Sequence, residues 1–281
     1  MINSGKSKRG YHRLATFSTC QKLYYYQEIA HLEPDVLGEP LALGTLFHAA
    51  AAAHYSGEAD PVETMRQMPE RVSYMFVQAK RVWDRYVEYA EKHDDFRVVS
   101  VEEEFAIRLL GEEVTARLDL VVERHGALWI YEHKSTKQNV TYHPREWAGK
   151  GQPVLQDAIG RLVLPEVFGI PYGGLIINAV DATGAAAQVV NRERVDDRFT
   201  SPWRDTVLMG LANTARQETA AREERGTDAL VWMGGNAEAC MTKWGVCSHR
   251  ALCLNGEAHA AMHGFVLAAD VATKYREAAG R

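Results

Sequence analysis

The spacing of apolar positions changes along the chain and predicts two kinds of element. In residues 62–93, Val72, Met75, Ala79, Val82, Tyr86 and Ala90 form one helical stripe. The Ala-rich stretch "LALGTLFHAAAAAHY" (41–55) predicts another helix. Upstream, Ser18-Thr19-Cys20-Gln21 has capping-box form, with Ser18 as N-cap, and predicts a helix through "QKLYYYQEI". From residue 97 the period drops to two. "VVSVEEEFAIRL" reads as a strand. In "EVTARLDLVVER", Val114, Ala116, Leu118, Leu120 and Val122 share one face, and "ALWIYEHK" is the next strand. A helix over 153–169, a strand "GGLIINAV", a turn "DATG" and a strand "AAQVV" follow. A long helix over roughly 196–224, a Gly/Cys-rich loop and a helix through "AHAAMHGFVLAADVATKYREA" complete a mixed α/β order.

Composition narrows the classes. The chain has 281 residues, 46% hydrophobic and 25% charged, enough for a sizeable core. One domain over 1–281 is expected: a helical part to 96, a sheet core over 97–191 and a helical part over 192–281. The formal net charge is −5, so nucleic-acid contact has to come from a local groove or a metal site. No apolar run reaches the roughly 18 residues of a membrane span. "MINSGKSKRGYHRL" lacks the apolar stretch of a secretory signal, so a cytoplasmic setting is the default. "SGKSKRG" (4–10) reads as a mobile basic arm. No Walker motif is complete.

The central strands carry the candidate chemistry. If His125-Gly126 forms the turn between them, Arg124 faces Ala127 and Asp119 lies opposite Glu132. Glu132 and Lys134 then share the face of Asp119. Opposed carboxylates this close repel unless a cation sits between them, and a divalent metal with oxygen ligands removes the conflict. A neighbouring Lys can orient water or stabilise charge on phosphorus. A solvated charged face is the plain alternative. Arg117 would oppose Lys134 in this register, so the strand is expected to bend there, or Arg117 to reach a phosphate.

The four cysteines are Cys20, Cys240, Cys247 and Cys253, one near the N-terminus and three clustered near the C-terminus. Four thiolates suit one 4Fe-4S cluster. Unrelated thiols remain an alternative, as does zinc with His249 as a ligand, although zinc sites favour tighter Cys pairs.

Together these residues resemble the PD-(D/E)XK nuclease superfamily in its RecB-like branch, and within it the iron–sulfur members: the AddB nuclease domain and the CRISPR-associated and phage iron–sulfur exonucleases. The matches run in order from "STCQKLYYY" and Gly44-Thr-Leu-Phe-His48 to Asp119, Glu132 and Lys134, and then to "C…GxC…C". The resemblance implies a restriction-endonuclease-like mixed sheet flanked by helices, with an iron–sulfur cluster joining the N- and C-terminal segments. It implies Mg2+ or Mn2+ on His48, Asp119, Glu132 and the backbone carbonyl of His133, with Lys134 placing the water. It implies exonuclease action on DNA ends in recombination, repair or phage DNA processing, with a helicase or recombination protein as a possible partner. Gln156 fits the family's Q-x-x-x-Y motif as a DNA-binding residue, but residue 160 is Gly rather than Tyr. Lys137 falls on the wrong face to replace Lys134. Glu104 reads as an edge charge, and Trp83, Trp147 and Trp203 as packing residues. Two other classes stay open: a catalytically silent scaffold that binds DNA ends, and a zinc-stabilised hydrolase acting on something else.

Overall fold

A computed structural model describes residues 7–141, 143–148, 150–227, 232, 240–242, 245–255, 260 and 264–267. The chain opens with α1 (Tyr11–Thr19), α2 (Gln21–Tyr24), a π-helical turn (Tyr25–Ile29) and β1 (Leu32–Pro34). Next come α3 (Glu39–Ser56), α4 (Pro61–Arg66), α5 (Glu70–Ser73) and α6 (Phe76–His93). β2 (Arg97–Leu109), β3 (Glu112–Arg124) and β4 (Ala127–Thr136) form a run of strands. α7 (His143–Ala148), α8 (Gly151–Leu162) and α9 (Leu164–Phe168) lead to β5 (Tyr172–Asp181) and β6 (Val190–Arg194). The remaining described elements are α10 (Asp197–Arg225), β7 (Met241–Thr242), β8 (Gly245–Val246), α11 (Arg250–Asn255) and β9 (Phe265–Leu267). The chain divides into two compact units, Met1–Tyr11 with Gly38–Ala212, and His12–Leu37 with Asn213–Arg281.

The first unit holds a five-stranded sheet in the order β2-β3-β4-β5-β6, mixed because β4 and β5 run parallel and every other pair antiparallel. Both hairpins close on two residues with positive φ, Leu110-Gly111 (51° and 86°) and His125-Gly126 (53° and 73°). That is the type I′ pattern that matches strand twist. The parallel pair needs a crossover, and α7, α8 and α9 provide it. β5 is buried continuously from Gly174 to Asp181, as a strand covered on both faces should be. α3 starts behind Gly38 with Pro40 in its first turn and stops at Gly57 in the left-handed region. Its run Ala49–Ala53 is wholly buried, and such small side chains let a helix approach a sheet closely. The α/β architecture with a mixed sheet and flanking helices is therefore present. No helix among the described residues is long and apolar enough to cross a membrane.

Several boundaries differ from the periodic reading. The stripe over 62–93 is buried as expected, but Pro69, which lacks an N–H, separates α4 from α5, and a second break at Tyr74–Met75 separates α5 from α6. The helix expected over 153–169 breaks at Val163, with Pro165 in the first turn of α9. The strand placed at 186–190 begins only at Val190. Ser18 is no N-cap, because α1 already runs through it to bury Leu14 and Phe17. Cys20 takes that role, extended at φ −154° and ψ 104°, with Sγ accepting the Leu23 N–H at 3.4 Å. Ser7–Gly10 is not a free arm: Ser7 Oγ lies 2.8 Å from Thr115 Oγ1, and the Arg9 carbonyl accepts the Thr115 N–H at 3.2 Å. Residues 4–6 lie outside the described residues. Within the expected last helix, Phe265–Leu267 is instead a strand paired with Leu32–Pro34, consistent with its aromatic and β-branched content. Residues 258, 259, 261–263 and 268–278 of that helix lie outside the described residues.

The second unit packs Phe17, Tyr24, Tyr25, Tyr26, Leu32, Trp232, Leu252 and Phe265 into one core. Glu218 on α10 is buried there and is held by Arg13, Tyr24 and Arg222. Burying a carboxylate is tolerable only with such partners.

Candidate active site

β3 and β4 pair as the two-residue turn requires, from Arg124 opposite Ala127 to Leu120 opposite Tyr131. There the ladder stops. Asp119 does not pair with Glu132 across it. Instead its Oδ2 accepts the backbone N–H of His133 at 2.8 Å. Because the strands part, Arg117 and Lys134 are spared their like-charge opposition. Arg117 lies opposite Glu104 on β2 and donates through Nη1 to the Glu102 carbonyl at 2.8 Å.

The parted strands leave room for a side chain from α3. His48 Nδ1 lies 3.5 Å from Asp119 Oδ2 and 3.7 Å from Glu102 Oε1. These three residues form the one group of ligand-type side chains, among the described residues, close enough to share a single ion. Glu102 was not expected here. It falls between two register pairs, Val101 with Leu120 and Glu103 with Leu118, and so faces Asp119 across β2 and β3. Its φ is +49°, a strained conformation for a residue with a Cβ. Burial and the Glu132 carboxylate raise the Asp119 carboxyl to about 8, with Glu102 adding to the effect. Burial opposes a charged His48, but Asp119 and Glu102 outweigh it and raise the imidazole to about 9. The site thus carries excess negative charge that it relieves by holding protons, and two carboxylates with one imidazole fit a hard divalent cation.

Glu132, expected beside Asp119 as a ligand, is held elsewhere. It is 1% exposed and ion-paired with Lys134. Gln152 Nε2 donates to its Oε1 at 2.8 Å, and Gln156 Nε2 to its Oε2 at 2.5 Å. Burial disfavours the charge on Lys134, yet Glu132 and Asp119 outweigh that and keep the ammonium raised. Lys134 Nζ also sits 4.7 Å from the centroid of the Trp147 ring, which brings this packing residue against the site.

The His133 side chain points into a buried polar network. Its Nδ1 lies 2.6 Å from Asn178 Nδ2, and Asn178 Oδ1 accepts from Arg192 Nε at 3.0 Å. Arg192 can only donate, which fixes the Asn178 amide and makes His133 Nδ1 the acceptor. Burial, with His48 next, holds the His133 imidazole well below its usual value. His133 therefore contributes neutral packing and backbone placement, with its N–H on Asp119.

Gly160 has a steric reason. A Cβ there would meet the Tyr172 ring at 2.4 Å, so Tyr172 occupies the space beside α8 that a larger residue 160 would need. Tyr172 Oη donates to Asp157 at 3.1 Å. Lys137 is exposed and pairs with Glu39 at 3.2 Å. Glu104 accepts the Lys8 N–H at 2.7 Å. Trp83 packs on Phe47 and Tyr86. The side chain of Trp203 lies outside the described residues.

All four cysteines fall in the second unit. Cys20 is buried, Cys240 and Cys247 are intermediate and Cys253 is exposed. The Cys247 N–H donates to the Cys240 carbonyl at 3.0 Å. Burial, then neighbouring thiols that include Cys20, raise both Cys247 and Cys253. His249, the possible zinc ligand, has both nitrogens engaged: Nε2 with the Leu32 carbonyl at 3.2 Å and Nδ1 with Ser248 Oγ at 2.9 Å.

The protonated state of the His48 group predicts a pH dependence. A cation has to displace protons from Asp119 and His48, so its affinity should rise with pH until about 9 and then level off. Mn2+ titrations from pH 6.5 to 9.5 should show a gain of roughly tenfold per unit for each proton displaced. A flat profile would mean that the ion binds elsewhere.

Among curated proteins nothing matches. A crystal structure of a candidate exonuclease from Eubacterium rectale is similar over 75% of this chain and 81% of that one, at 14% identity and a TM-score of 0.52, and supports the fold. The crystal structure of SSO0001 aligns over 73% of this chain and 84% of that one at 12% identity, but its TM-score of 0.31 carries no weight. The sequence profile of the PD-(D/E)XK nuclease superfamily matches residues 11–254, most of the chain and all of the site, and the chain belongs to that superfamily.

Proposed function

We propose that the protein is a metal-dependent deoxyribonuclease that shortens DNA from an end. The convergence of His48, Glu102 and Asp119 beside the Glu132–Lys134 pair carries this reading. His48, Glu102 and Asp119 would hold Mg2+ or Mn2+, with the His133 carbonyl as a further ligand, while Glu132, both of whose oxygens are engaged, holds Lys134 instead. A divalent ion there would supply Lewis acidity toward a phosphate oxygen and a lowered pKa for water. Lys134 directs its ammonium at the attacking water and the charge that develops on phosphorus. Gln152 and Gln156 fix the Glu132 carboxylate, and through it the Lys134 head. The His133 N–H holds Asp119 in place.

The same reading makes residues 1–281 one nuclease domain with a 4Fe-4S cluster on Cys20, Cys240, Cys247 and Cys253. The thiols are near enough to shift one another's ionisation, and the engagement of both His249 nitrogens disfavours zinc on that histidine. DNA ends are the substrate, and a helicase or recombination protein in the cytoplasm would supply those ends. Gln156, read from the sequence as a DNA-binding residue, is fully buried against Glu132 and acts on the strand only through that carboxylate.

The test uses linear DNA labelled at one end, with Mn2+. Successive shortening from the end is expected. Lys134→Ala should lower the single-turnover rate at saturating protein by a factor on the order of 10²–10⁴ with little loss of affinity. Internal cuts first, or an affinity loss with an unchanged saturating rate, would overturn the exonuclease assignment and the role of Lys134 respectively.

A further inference from the structure

The segment from Trp147 to Gln156 forms one wall of the site. Gln152 and Gln156 reach Glu132, and Trp147 reaches Lys134. A second ammonium lies on the same ring, Lys150 Nζ at 4.0 Å from its centroid. Trp147 is half-buried and Lys150 is exposed at the N-cap of α8.

A lysine head is a compact charge on a flexible stem with three donors. Glu132 fixes one direction of the Lys134 head. The indole face fixes another, and unlike a second carboxylate it attracts the charge without neutralising it. Both ammonium heads lie close to one ring centroid, at 4.7 and 4.0 Å, and a phosphodiester strand, with charged oxygens spaced along a line, is an anion that can meet two neighbouring lysines.

We propose that Trp147 is a positioning residue for Lys134, and that Lys150, on the same ring, takes the phosphate next to the one being cut. This rests on the nuclease reading above. Trp147 acts on the rate through Lys134, whereas Lys150 acts on strand binding.

The experiment compares wild type with Trp147→Leu, Trp147→Phe and Lys150→Ala, all checked for folding by melting. Binding of a labelled single-stranded oligonucleotide is measured in calcium across salt, and single-turnover cleavage at saturation in Mn2+. Lys150→Ala should weaken binding about 5–20-fold at low salt and reduce the salt slope by about 0.7, one single-strand phosphate contact, while keeping the saturating rate. Trp147→Leu should lower the saturating rate about tenfold with affinity within about threefold, and Trp147→Phe should recover most of the rate, as a retained cation–π contact requires. Should Trp147→Leu not fold, Trp147→Met supplies similar bulk without a ring. An unchanged salt slope in Lys150→Ala, an unchanged rate in the ringless variant, or Trp147→Phe as slow as Trp147→Leu overturns the proposal. Wild type that binds the oligonucleotide but never cuts it overturns the nuclease reading instead, and the Lys150 salt slope can still be read.

Discussion

Asp119→Asn is expected to abolish cleavage and, in the metal-free protein at alkaline pH, to raise stability. The two effects share one cause. In the fold, burial and Glu132 lift the Asp119 carboxyl from 3.8 to about 8. A group raised in this way contributes fully to stability below about pH 4 and loses that contribution as pH rises through about 8. Asparagine cannot ionise, so it escapes the loss, while its side-chain oxygen still accepts the His133 N–H. His48 loses an ion partner in the variant, which makes the net gain smaller than the Asp119 shift alone, on the order of 1–2 kcal/mol near pH 8. The gain should vanish near pH 4. Melting in chelator across pH checks the sign. Lower stability than wild type at pH 8 would mean that Asp119 is a structural anchor and not a ligand kept under strain.

Cys20→Ala should have the largest effect on stability. Cys20 and the Cys240, Cys247 and Cys253 group lie at opposite ends of the sequence, so a cluster on all four closes a loop around the sheet core. By analogy with a long-loop disulfide, that constraint is worth roughly 4–5 kcal/mol. Cys20 has a second role, since its Sγ caps α2 by accepting the Leu23 N–H. Losing a cap costs about 1 kcal/mol. Cys20→Ser separates the two, because a serine oxygen keeps the cap but is a poor iron ligand. Wild type purified without oxygen should be brown, with iron and acid-labile sulfide in equal amounts. Both variants should lose the colour, and both should melt well below wild type, with Cys20→Ala slightly the lower. Colourless wild type holding one zinc would contradict the cluster.

The strands were legible because alternation and turn chemistry agreed. Counting back from His125-Gly126 gives the β3 and β4 register directly. The same count from Leu110-Gly111 puts Glu102 opposite Asp119, so the missed residue was within reach of the sequence. In "VEEEF" alternation alone cannot choose between Glu102 and Glu104; only the register can. The position of Glu132 was not legible, because it depends on Gln152 and Gln156 arriving from α8. The role of Trp147 depends on the same packing. Gly160 could be noticed in the sequence but not explained, since its neighbour Tyr172 comes from another element. Cys20 was picked out for its chemistry, but its capping role was given to Ser18, because the early start of α1 leaves no strong sequence signal.

The central claim is that His48, Glu102 and Asp119 hold one catalytic cation. Titrating metal-free protein with Mn2+ at pH 8.5, without DNA, tests it most directly. Wild type should take up an ion that Asp119→Asn and Glu102→Gln each bind at least about tenfold more weakly, as loss of a charged ligand requires. Equal Mn2+ affinity in wild type and both variants would contradict the account.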